Sequence, residues 1–312
     1  SPRVSLKSGI VIHGGRTNVM TPNNHRYTLA WFSGTGGTER IGRRLAGCLE
    51  ATGGTVQTIR LRTGEPSACE PHDRLVVLFA VHACNAPEPV YAWLDALPPA
   101  SGTKAAVLSV SGGGEVSPNT ACRLGCIRRL ERKGYHVDYE DMLVMPSNWI
   151  VATKEPLARM LLDVLPRRLS RIAGDWAAGI EKRLIPGGFD RLLSRLGLME
   201  QHMAHHFGRR IRVTDACTGC VHCAAVCPHG NIQMIDKRPA FSGRCLMCLG
   251  CIYACPVKAL QPGTAKWVVI PGGYDLAALE RLGTPQEPVD VLSLTQGYLW
   301  SGLRKYLLEE ES

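Results

Sequence analysis

Five short apolar runs alternate with amphipathic stretches along the first half of the chain. Runs of this length predict strands, and the amphipathic stretches, of which residues 39–51 and 122–133 are examples, predict helices. Regular alternation of strand and helix is typical of a doubly wound α/β fold on a parallel sheet. We therefore expect five strands, at residues 27–32, 55–62, 75–81, 105–110 and 135–144.

A second apolar pattern occupies the middle of the chain. The apolar residues between Leu157 and Leu165 recur every three or four positions, as they do on one face of a helix. Pro166 and a Pro-Gly-Gly run that starts at Pro186 would interrupt the pattern, so we expect about three helices. This helical linker, residues 151–208, would brace the segments on either side of it.

Arginines are frequent in the linker and just after it. Their simplest interpretation is a polar, solvated helix surface. The alternative is a docking patch for an acidic partner. The arginines concerned are Arg167, Arg168, Arg171, Arg191, Arg195, Arg209 and Arg210.

A glycine- and hydroxyl-rich loop follows the first predicted strand. It lacks the Gly-Lys-Ser/Thr ending of a nucleoside-triphosphate loop, and Glu39 stands where a dinucleotide fingerprint needs its third glycine. Backbone N–H groups at a helix N-terminus, helped by hydroxyls, can still hold a phosphate. The alternative is an ordinary glycine-rich turn. The loop consists of Ser33, Gly34, Thr35, Gly36, Gly37 and Thr38.

Two further loops are expected beside this one. Ligands of doubly wound sheets bind beyond the carboxyl ends of the strands, so the loops after strands one, three and four should converge. Glycines there would let backbone amides approach the edge of a planar ring. The residues concerned are His82, Ala83, Cys84 and Asn85 after strand three, and Ser111, Gly112, Gly113 and Gly114 after strand four.

The strongest motif is a cysteine run that occurs twice. Residues 217–228 read CTGCVHCAAVCP and residues 245–256 read CLMCLGCIYACP, so each is C-x2-C-x2-C-x3-C-P. Two-residue gaps let three thiolates of one tight loop reach three irons of a cubane cluster. Zinc sites pair two C-x2-C units instead, and disulfides are rare in a reducing cytoplasm. The spacing therefore predicts two 4Fe–4S clusters.

The fourth cysteine of each run lies beyond the tight loop and is expected to bind the other cluster. Pro228 and Pro256 would then turn the chain away from the clusters. The two predicted ligand sets are Cys217, Cys220, Cys223 and Cys255 for one cluster, and Cys245, Cys248, Cys251 and Cys227 for the other.

Both halves of the chain resemble known families. Residues 209–262 resemble the two-cluster ferredoxins, with all eight cysteines matched, and residues 27–150 resemble the flavodoxins. The 33–38 loop is similar to the flavodoxin phosphate loop T-x-T-G-x-T, with Ser33 in place of the first threonine. The combination is similar to flavodoxin–ferredoxin fusion proteins of the iron–sulfur flavoprotein type. This resemblance implies FMN in the first half, and two clusters in a small ferredoxin-like α+β domain.

The sequence departs from the flavodoxins at the flavin ring. Flavodoxins usually hold the ring between aromatic side chains, but neither residues 82–87 nor residues 111–114 include one. Trp149 is the nearest candidate for a ring contact, with an ordinary core tryptophan as the alternative. Cys84 could lie near the ring, although a free cysteine is more often a small buried apolar residue. An empty, degenerate flavin site is a further alternative.

These features divide the chain into an extension, a flavodoxin-like domain, the helical linker, a dicluster ferredoxin domain and a C-terminal segment that packs on the body. Met20 would make a natural start. Residues 1–19 are therefore either a tag or vector remnant or a genuine short extension. The predicted bounds are 1–26, 27–150, 151–208, 209–262 and 263–312.

The charge of the chain bears on its partners. A formal net charge of +9 would suit nucleic acid. Cluster binding and a flavin phosphate would lower it to about +3. Because no Lys/Arg-rich block carries interleaved aromatics, we expect no nucleic-acid partner. Neither a secretory signal nor an apolar run long enough to span a bilayer is present, so we expect a cytoplasmic protein without a membrane span.

Three functions are compatible with these features. The first is an electron carrier that links one-electron and two-electron chemistry for a redox partner protein with an acidic docking surface. The second is a flavin-dependent oxidoreductase that reduces a small organic acceptor with electrons from the clusters. The third is a redox-sensing assembly subunit. Charged, substrate-orienting residues beside the flavin would favour the enzyme, and we predict no catalytic residue.

Overall fold

The structure is a computed structural model that describes residues 24–65 and 67–311. Residues 1–23 of the predicted N-terminal extension (1–26) lie outside the described residues. The interpretation of residues 1–19 as a remnant or a genuine extension therefore stays a prediction. Among the residues that the structure describes, no helix is long and apolar enough to cross a membrane.

The first half of the chain forms a parallel sheet with helices between its strands. Its elements are β1 (Arg26–Phe32), α1 (Gly37–Ala51), β2 (Thr55–Arg60), β3 (Arg74–Ala80), α2 (Glu88–Ala96), β4 (Lys104–Ser111), α3 (Leu124–Arg132) and β5 (His136–Val144). All four strand pairings are parallel, in the order β2-β1-β3-β4-β5. This is the order of the flavodoxin-like doubly wound sheet. The predicted fold class is confirmed.

Both faces of the sheet are covered. Successive side chains of a strand point to opposite faces, so neighbours on β1 enter different cores. Trp31 packs with Ile41 and Leu45 of α1 on one face. Phe32 packs with residues of α2 and α3 on the other. The strands are therefore held between two helical layers, and the carboxyl ends of β1, β3 and β4 lie at one edge.

Two long helices follow the sheet. They are α4 (Glu155–Ala177), which continues through Pro166, and α5 (Gly188–Arg209). A proline inside a helix costs about 3 kcal/mol. Leu165 and Leu169 beside it are fully buried in the core shared with α1, and this packing outweighs the cost. The expectation of about three helices is therefore wrong, because Pro166 does not divide the first one.

The second half of the chain is built from short elements. They are β6 (Arg212–Val213), α6 (His222–Val226), β7 (Ile232–Ile235), β8 (Arg238–Phe241), α7 (Gly250–Tyr253), β9 (Leu260–Gln261), α8 (Leu276–Leu282), α9 (Val291–Leu294) and α10 (Ser301–Glu311). β6 pairs with β9 and β7 with β8, both antiparallel. Ile232, Leu249 and Val268 share a small core with Phe207 of α5. This arrangement is the ferredoxin-like α+β part of the predicted fold.

The C-terminal helix α10 packs against α4. Leu303 and Leu307 of α10 are fully buried with Leu161 of α4. Arg168 of α4 is only 4% exposed. Its guanidinium donates to Glu309 at 2.9 Å and lies over the Tyr306 ring. Arg168 therefore joins two helices, and its interpretation as a solvated or docking arginine is corrected.

Candidate functional site

The loop between β1 and α1 presents backbone N–H groups at the start of a helix. Gly36 caps α1 with φ +89°, a left-handed conformation that favours glycine. Its N–H donates to Ser33 Oγ at 3.1 Å. The Asn148 amide donates to Thr35 Oγ1 at 2.8 Å. Amide groups at a helix N-terminus, together with hydroxyls, form an anion site, so these residues fit a phosphate.

The loops after β1, β3 and β4 line one cavity at the carboxyl edge of the sheet. We call it the edge cavity. It lies at the switch point between β1 and β3, where doubly wound sheets of this strand order bind FMN. The predicted site residues that line it are Ser33, Gly34, Thr35, Gly37, Thr38, His82, Ala83, Cys84, Ser111, Gly112, Gly113 and Trp149.

Three predicted residues do not line the edge cavity. Gly36 is the cap of α1. Asn85 turns away from the cavity, and its amide donates to the Ser194 carbonyl at 2.6 Å while the Ser194 hydroxyl donates to Asn85 Oδ1 at 2.8 Å. Gly114 has φ +80°, and an added Cβ would lie 2.6 Å from the carbonyl carbon of Gly302 in α10. These residues hold the loops against the rest of the chain.

His82 ties the loop after β3 to the second cysteine run. Its Nδ1 lies 3.1 Å from the carbonyl oxygen of Leu246. A carbonyl only accepts, so Nδ1–H is the donor. Burial lowers the pKa of His82 to about 4. The imidazole is therefore uncharged near neutral pH, with its proton on Nδ1.

Sequence reasoning missed several walls of the edge cavity. The segment after β5 contributes Met145 to Asn148, the second cysteine run contributes residues 246–248, and the C-terminal segment contributes Leu299 and Trp300. The aromatic walls thus come from Trp149, Tyr274 and Trp300, not from the loops after β3 and β4. No local sequence pattern could have found Trp300, because it lies far along the chain from the strands it faces.

The four cysteines of the first predicted set line a second cavity together with Pro256. Burial raises the pKa of Cys223, and the nearby Cys217 and Cys220 add to the effect. Cys220 is exposed, whereas Cys223 is buried. The structure brings together Cys217, Cys220, Cys223 and Cys255.

Cys227 of the first run lies with the second run. Burial raises the pKa of Cys245 to about 11 and that of Cys248 to about 12, and the charge of Cys227 contributes to both. Burial also raises the pKa of Cys251, with contributions from Cys248, Cys245 and Cys227 and a smaller one from Cys223 of the first set. Charge effects of this kind require short distances. The structure thus brings Cys227 beside the three cysteines of the other run.

The two cysteine runs share two left-handed backbone positions. Gly219 and Met247, at matching positions, have left-handed φ angles, and so do Val221 and Leu249. These residues turn the chain around its cysteines. The N–H of Met247 donates to Cys245 Sγ at 3.3 Å. A hydrogen bond to the charged form of a thiol stabilises the thiolate that a metal requires.

The donor set fits iron–sulfur clusters. Backbone N–H groups also donate to the sulfurs of Cys227 and Cys255, at 3.3 and 3.2 Å. Within the described part of the chain, no three His, Cys, Asp or Glu side chains form a site for a single ion. In a cubane cluster, by contrast, each thiolate binds its own iron. Eight thiols in two repeated loops match this chemistry.

The second cysteine run packs directly against the β1–α1 loop. A Cβ added to Gly34 would lie 2.5 Å from Cys248 Cβ, and one added to Gly250 would lie 2.5 Å from the Gly34 carbonyl oxygen. Neither position has space for a side chain. Cys248 also lines the edge cavity. None of the four cysteines of the first set is among the described residues that line this cavity.

Residues 209–256 match a family model described as a 4Fe-4S dicluster domain. This match decides the architecture. The chain joins a flavodoxin-like fold to a ferredoxin-like dicluster domain. The two parts together support electron transfer by an iron–sulfur flavoprotein. None of the curated proteins matches the chain.

Several solved structures are similar to the first half of the chain. Bacillus cereus Flavodoxin 1 is 16% identical, with 49% of this chain and 97% of that chain covered and a TM-score of 0.37. The flavodoxin of Streptococcus pneumoniae TIGR4 is 18% identical, with 49% and 99% covered and a TM-score of 0.37. The Flv1 flavodiiron core from Synechocystis is 14% identical, with 51% and 36% covered and a TM-score of 0.36. The strand order, and not these similarities, assigns the fold.

Proposed function

We propose that the protein passes electrons between two 4Fe–4S clusters and FMN for a partner redox enzyme. The contact between Cys248 and Gly34 carries this proposal, because a cluster ligand and the phosphate loop have no side chain between them. Cys248 also forms part of the edge cavity. When bound, the clusters supply one-electron steps and the flavin supplies one- or two-electron steps.

The β1–α1 loop would hold the FMN phosphate. Thr35 and Thr38 supply hydroxyls, and the first N–H groups of α1 point towards the loop. Among the described residues that line the edge cavity there is no Lys or Arg. The phosphate charge would therefore be balanced mainly by the helix N-terminus and by hydrogen bonds. The Arg40 guanidinium beside the loop donates to the Gly36 carbonyl at 3.4 Å and pairs with Glu280 at 3.0 Å.

The flavin ring would lie against the loops after β3 and β4. Ser111, Gly112 and Gly113 can bring backbone amides to the ring edge, since Gly113 has open space where a side chain would be. Trp149 and Trp300 supply the aromatic surfaces that those loops lack. Aromatic rings of this kind stack favourably in offset or edge-to-face arrangements.

The two clusters would have different roles. Cys245, Cys248, Cys251 and Cys227 would hold the cluster nearer the flavin, because Cys248 lines the edge cavity. The other cluster would be held by the four cysteines around the second cavity, where Cys220 is exposed. An external donor would therefore meet the second cavity first, and electrons would move from there towards the edge cavity.

The lining of the edge cavity supports a carrier over an enzyme. Its described lining residues include no Asp, Glu, Lys or Arg, and its one histidine is held uncharged by burial. A site that orients a small polar acceptor usually needs a few convergent polar or charged groups. Of the polar side chains here, the Asn148 amide already donates to Thr35.

Rapid reduction of the clusters in anaerobic protein tests this proposal. Flavin absorbance is followed at several dilutions, and we expect a rate that does not depend on protein concentration, since the transfer is intramolecular. Full reduction should take up about four electrons per chain. A flavin that stays oxidised, or a rate that scales with concentration, would mean that the two halves are only tethered.

A further inference from the structure

Helix α5 carries an apolar stripe that faces solvent. The stripe residues are spaced alternately by three and four positions, the pattern of a helix that packs against another helix. Each of them is 52–70% exposed. The opposite face of α5 is buried against the body of the protein through Asp190 and Ser194. The α5 stripe consists of Phe189, Leu192, Leu196, Met199 and Met203.

Arginines flank the α5 stripe on one side. Arg191 and Arg195 lie on the edge of α5 that faces α3, where Arg128 and Arg132 complete a groove. Within the described part of the chain, none of these four arginines has a carboxylate within 4.0 Å. Glu131 is the acidic residue of the groove, and it faces Arg183 at 3.6 Å. Among the described side chains, these four arginines therefore give the groove a positive charge that no neighbouring carboxylate pairs with.

Large exposed apolar patches rimmed by polar groups mark interaction sites. We propose that the α5 stripe and its arginine edge bind an amphipathic helix of the redox partner. Such a helix would carry apolar residues at heptad spacing, with carboxylates along the edge that meets the arginines. The inference rests on the proposed function for the redox nature of the partner. Charge complementarity selects the carboxylates.

The surface is suited to a transient contact. The stripe runs over fourteen residue steps, about 21 Å of helix. Short-lived redox complexes use small interfaces of this kind. A second copy of this chain fits less well, because antiparallel pairing of two α5 helices brings the arginine edge of one against the arginine edge of the other.

The inner face of helix α5 also contacts the loop after β3 at the edge cavity and the second cysteine run. An added Cβ at Gly197 would lie 2.0 Å from the Ala83 carbonyl oxygen, and one at Gly208 would lie 2.2 Å from Cys245 Cβ. Ala204 lines the edge cavity. A partner on the outer face of α5 would thus be separated from the edge cavity and from the second cysteine run by one helix, about 10 Å across.

Binding of two designed peptides to the full-length holoprotein tests the inference. Both peptides have three heptads with leucine at a and d; one has glutamate at e and g, and the other has lysine. We expect the labelled glutamate peptide to bind at least about tenfold more tightly by fluorescence anisotropy. The double variant Leu196→Ser/Met199→Ser should bind the glutamate peptide about tenfold more weakly, or weaker still. The double variant Arg191→Glu/Arg195→Glu should instead bind the lysine peptide more tightly than the glutamate peptide.

Ile185→Ser is the matched control, because Ile185 is 85% exposed but lies outside α5; its binding should match wild type. Thermal melts and iron content should be unchanged in all variants, since the stripe side chains face solvent. Equal binding of both peptides, or no binding, would overturn the inference. So would a dimeric wild type that Leu196→Ser converts to a monomer, or stripe-dependent binding to anionic vesicles in place of the peptides.

The peptide assay measures no electron transfer, so the two proposals fail separately. Peptide binding without intramolecular flavin reduction would overturn the proposed function alone. Flavin reduction without peptide binding would overturn the docking surface alone. Each result therefore identifies which of the two ideas is wrong.

Discussion

Gly34 and Cys248 lie more than two hundred residues apart in the chain, yet the Gly34 backbone packs on the Cys248 side chain without room for a side chain at position 34. The glycine belongs to the loop that would hold a phosphate, and the cysteine belongs to the run that would hold a cluster. Hydrogen bonding reinforces the contact, since His82 Nδ1–H donates to Leu246 in the same cysteine run. The two halves are thus joined at the point where electron transfer is proposed.

The Gly34→Ala variant should disturb this contact. Its new Cβ would lie 2.5 Å from Cys248 Cβ, and overpacking of this kind costs about 1–3 kcal/mol. We expect a lower free energy of unfolding, measured with urea, and slower flavin reduction by the clusters. Gly47→Ala is the control, because a Cβ there meets no atom within 4 Å. Unchanged flavin reduction in Gly34→Ala would show that the contact is not the electron path.

Loss of the loop hydroxyls should weaken FMN selectively. Each charge-assisted hydrogen bond contributes roughly 1.5–3 kcal/mol, so Thr35→Val with Thr38→Val should weaken FMN about a hundredfold or more. Riboflavin, which lacks the phosphate, should bind poorly to wild type and about equally poorly to the variant. Isothermal titration with both ligands measures this. Equal affinity of wild type for FMN and riboflavin would show that the loop is only a turn.

Anaerobically prepared protein should hold about eight irons and about eight acid-labile sulfides. Cys223→Ser should damage the cluster that Cys217, Cys220 and Cys255 would share, and leave about four irons. Cys48→Ser is the control, since its sulfur contacts the Ser170 hydroxyl, away from the cysteine runs. Zinc in place of iron would contradict the assignment. Equal loss of both clusters in Cys223→Ser would contradict the crossed ligation.

The Trp300→Ala variant should weaken FMN about two- to tenfold, the value of one aromatic contact beyond its buried area. Trp300→Phe should recover part of the loss because it restores a ring. Flavin fluorescence provides the measurement, with stronger emission expected where the tryptophan is absent. Tyr298→Ala serves as the control, because Tyr298 lies in the same segment but is 67% exposed. An affinity like that of wild type in Trp300→Ala would show that the ring lies elsewhere.

Features that depend on neighbouring residues could be predicted well. The five parallel strands follow from the length and alternation of the apolar runs. The β1–α1 loop follows from glycines and hydroxyls next to a helix start. The cysteine spacing assigns cluster chemistry, because a tight loop brings nearby thiolates together. Pro166 shows the limit even here, since its local cost is outweighed by the buried packing of Leu165 and Leu169.

The sequence by itself determined the two kinds of chemistry in this protein, and tertiary structure decided how they meet. The Asn148 amide donates to Thr35, the Asn85 amide donates to Ser194, and Trp300 lines the edge cavity. These residues come from segments that local periodicity does not relate. Each contact arises only when whole elements pack, and the packing energy is spread over many apolar residues. The local cysteine spacing therefore identifies the predicted cluster ligands, whereas the packing of the whole chain places Cys248 beside Gly34.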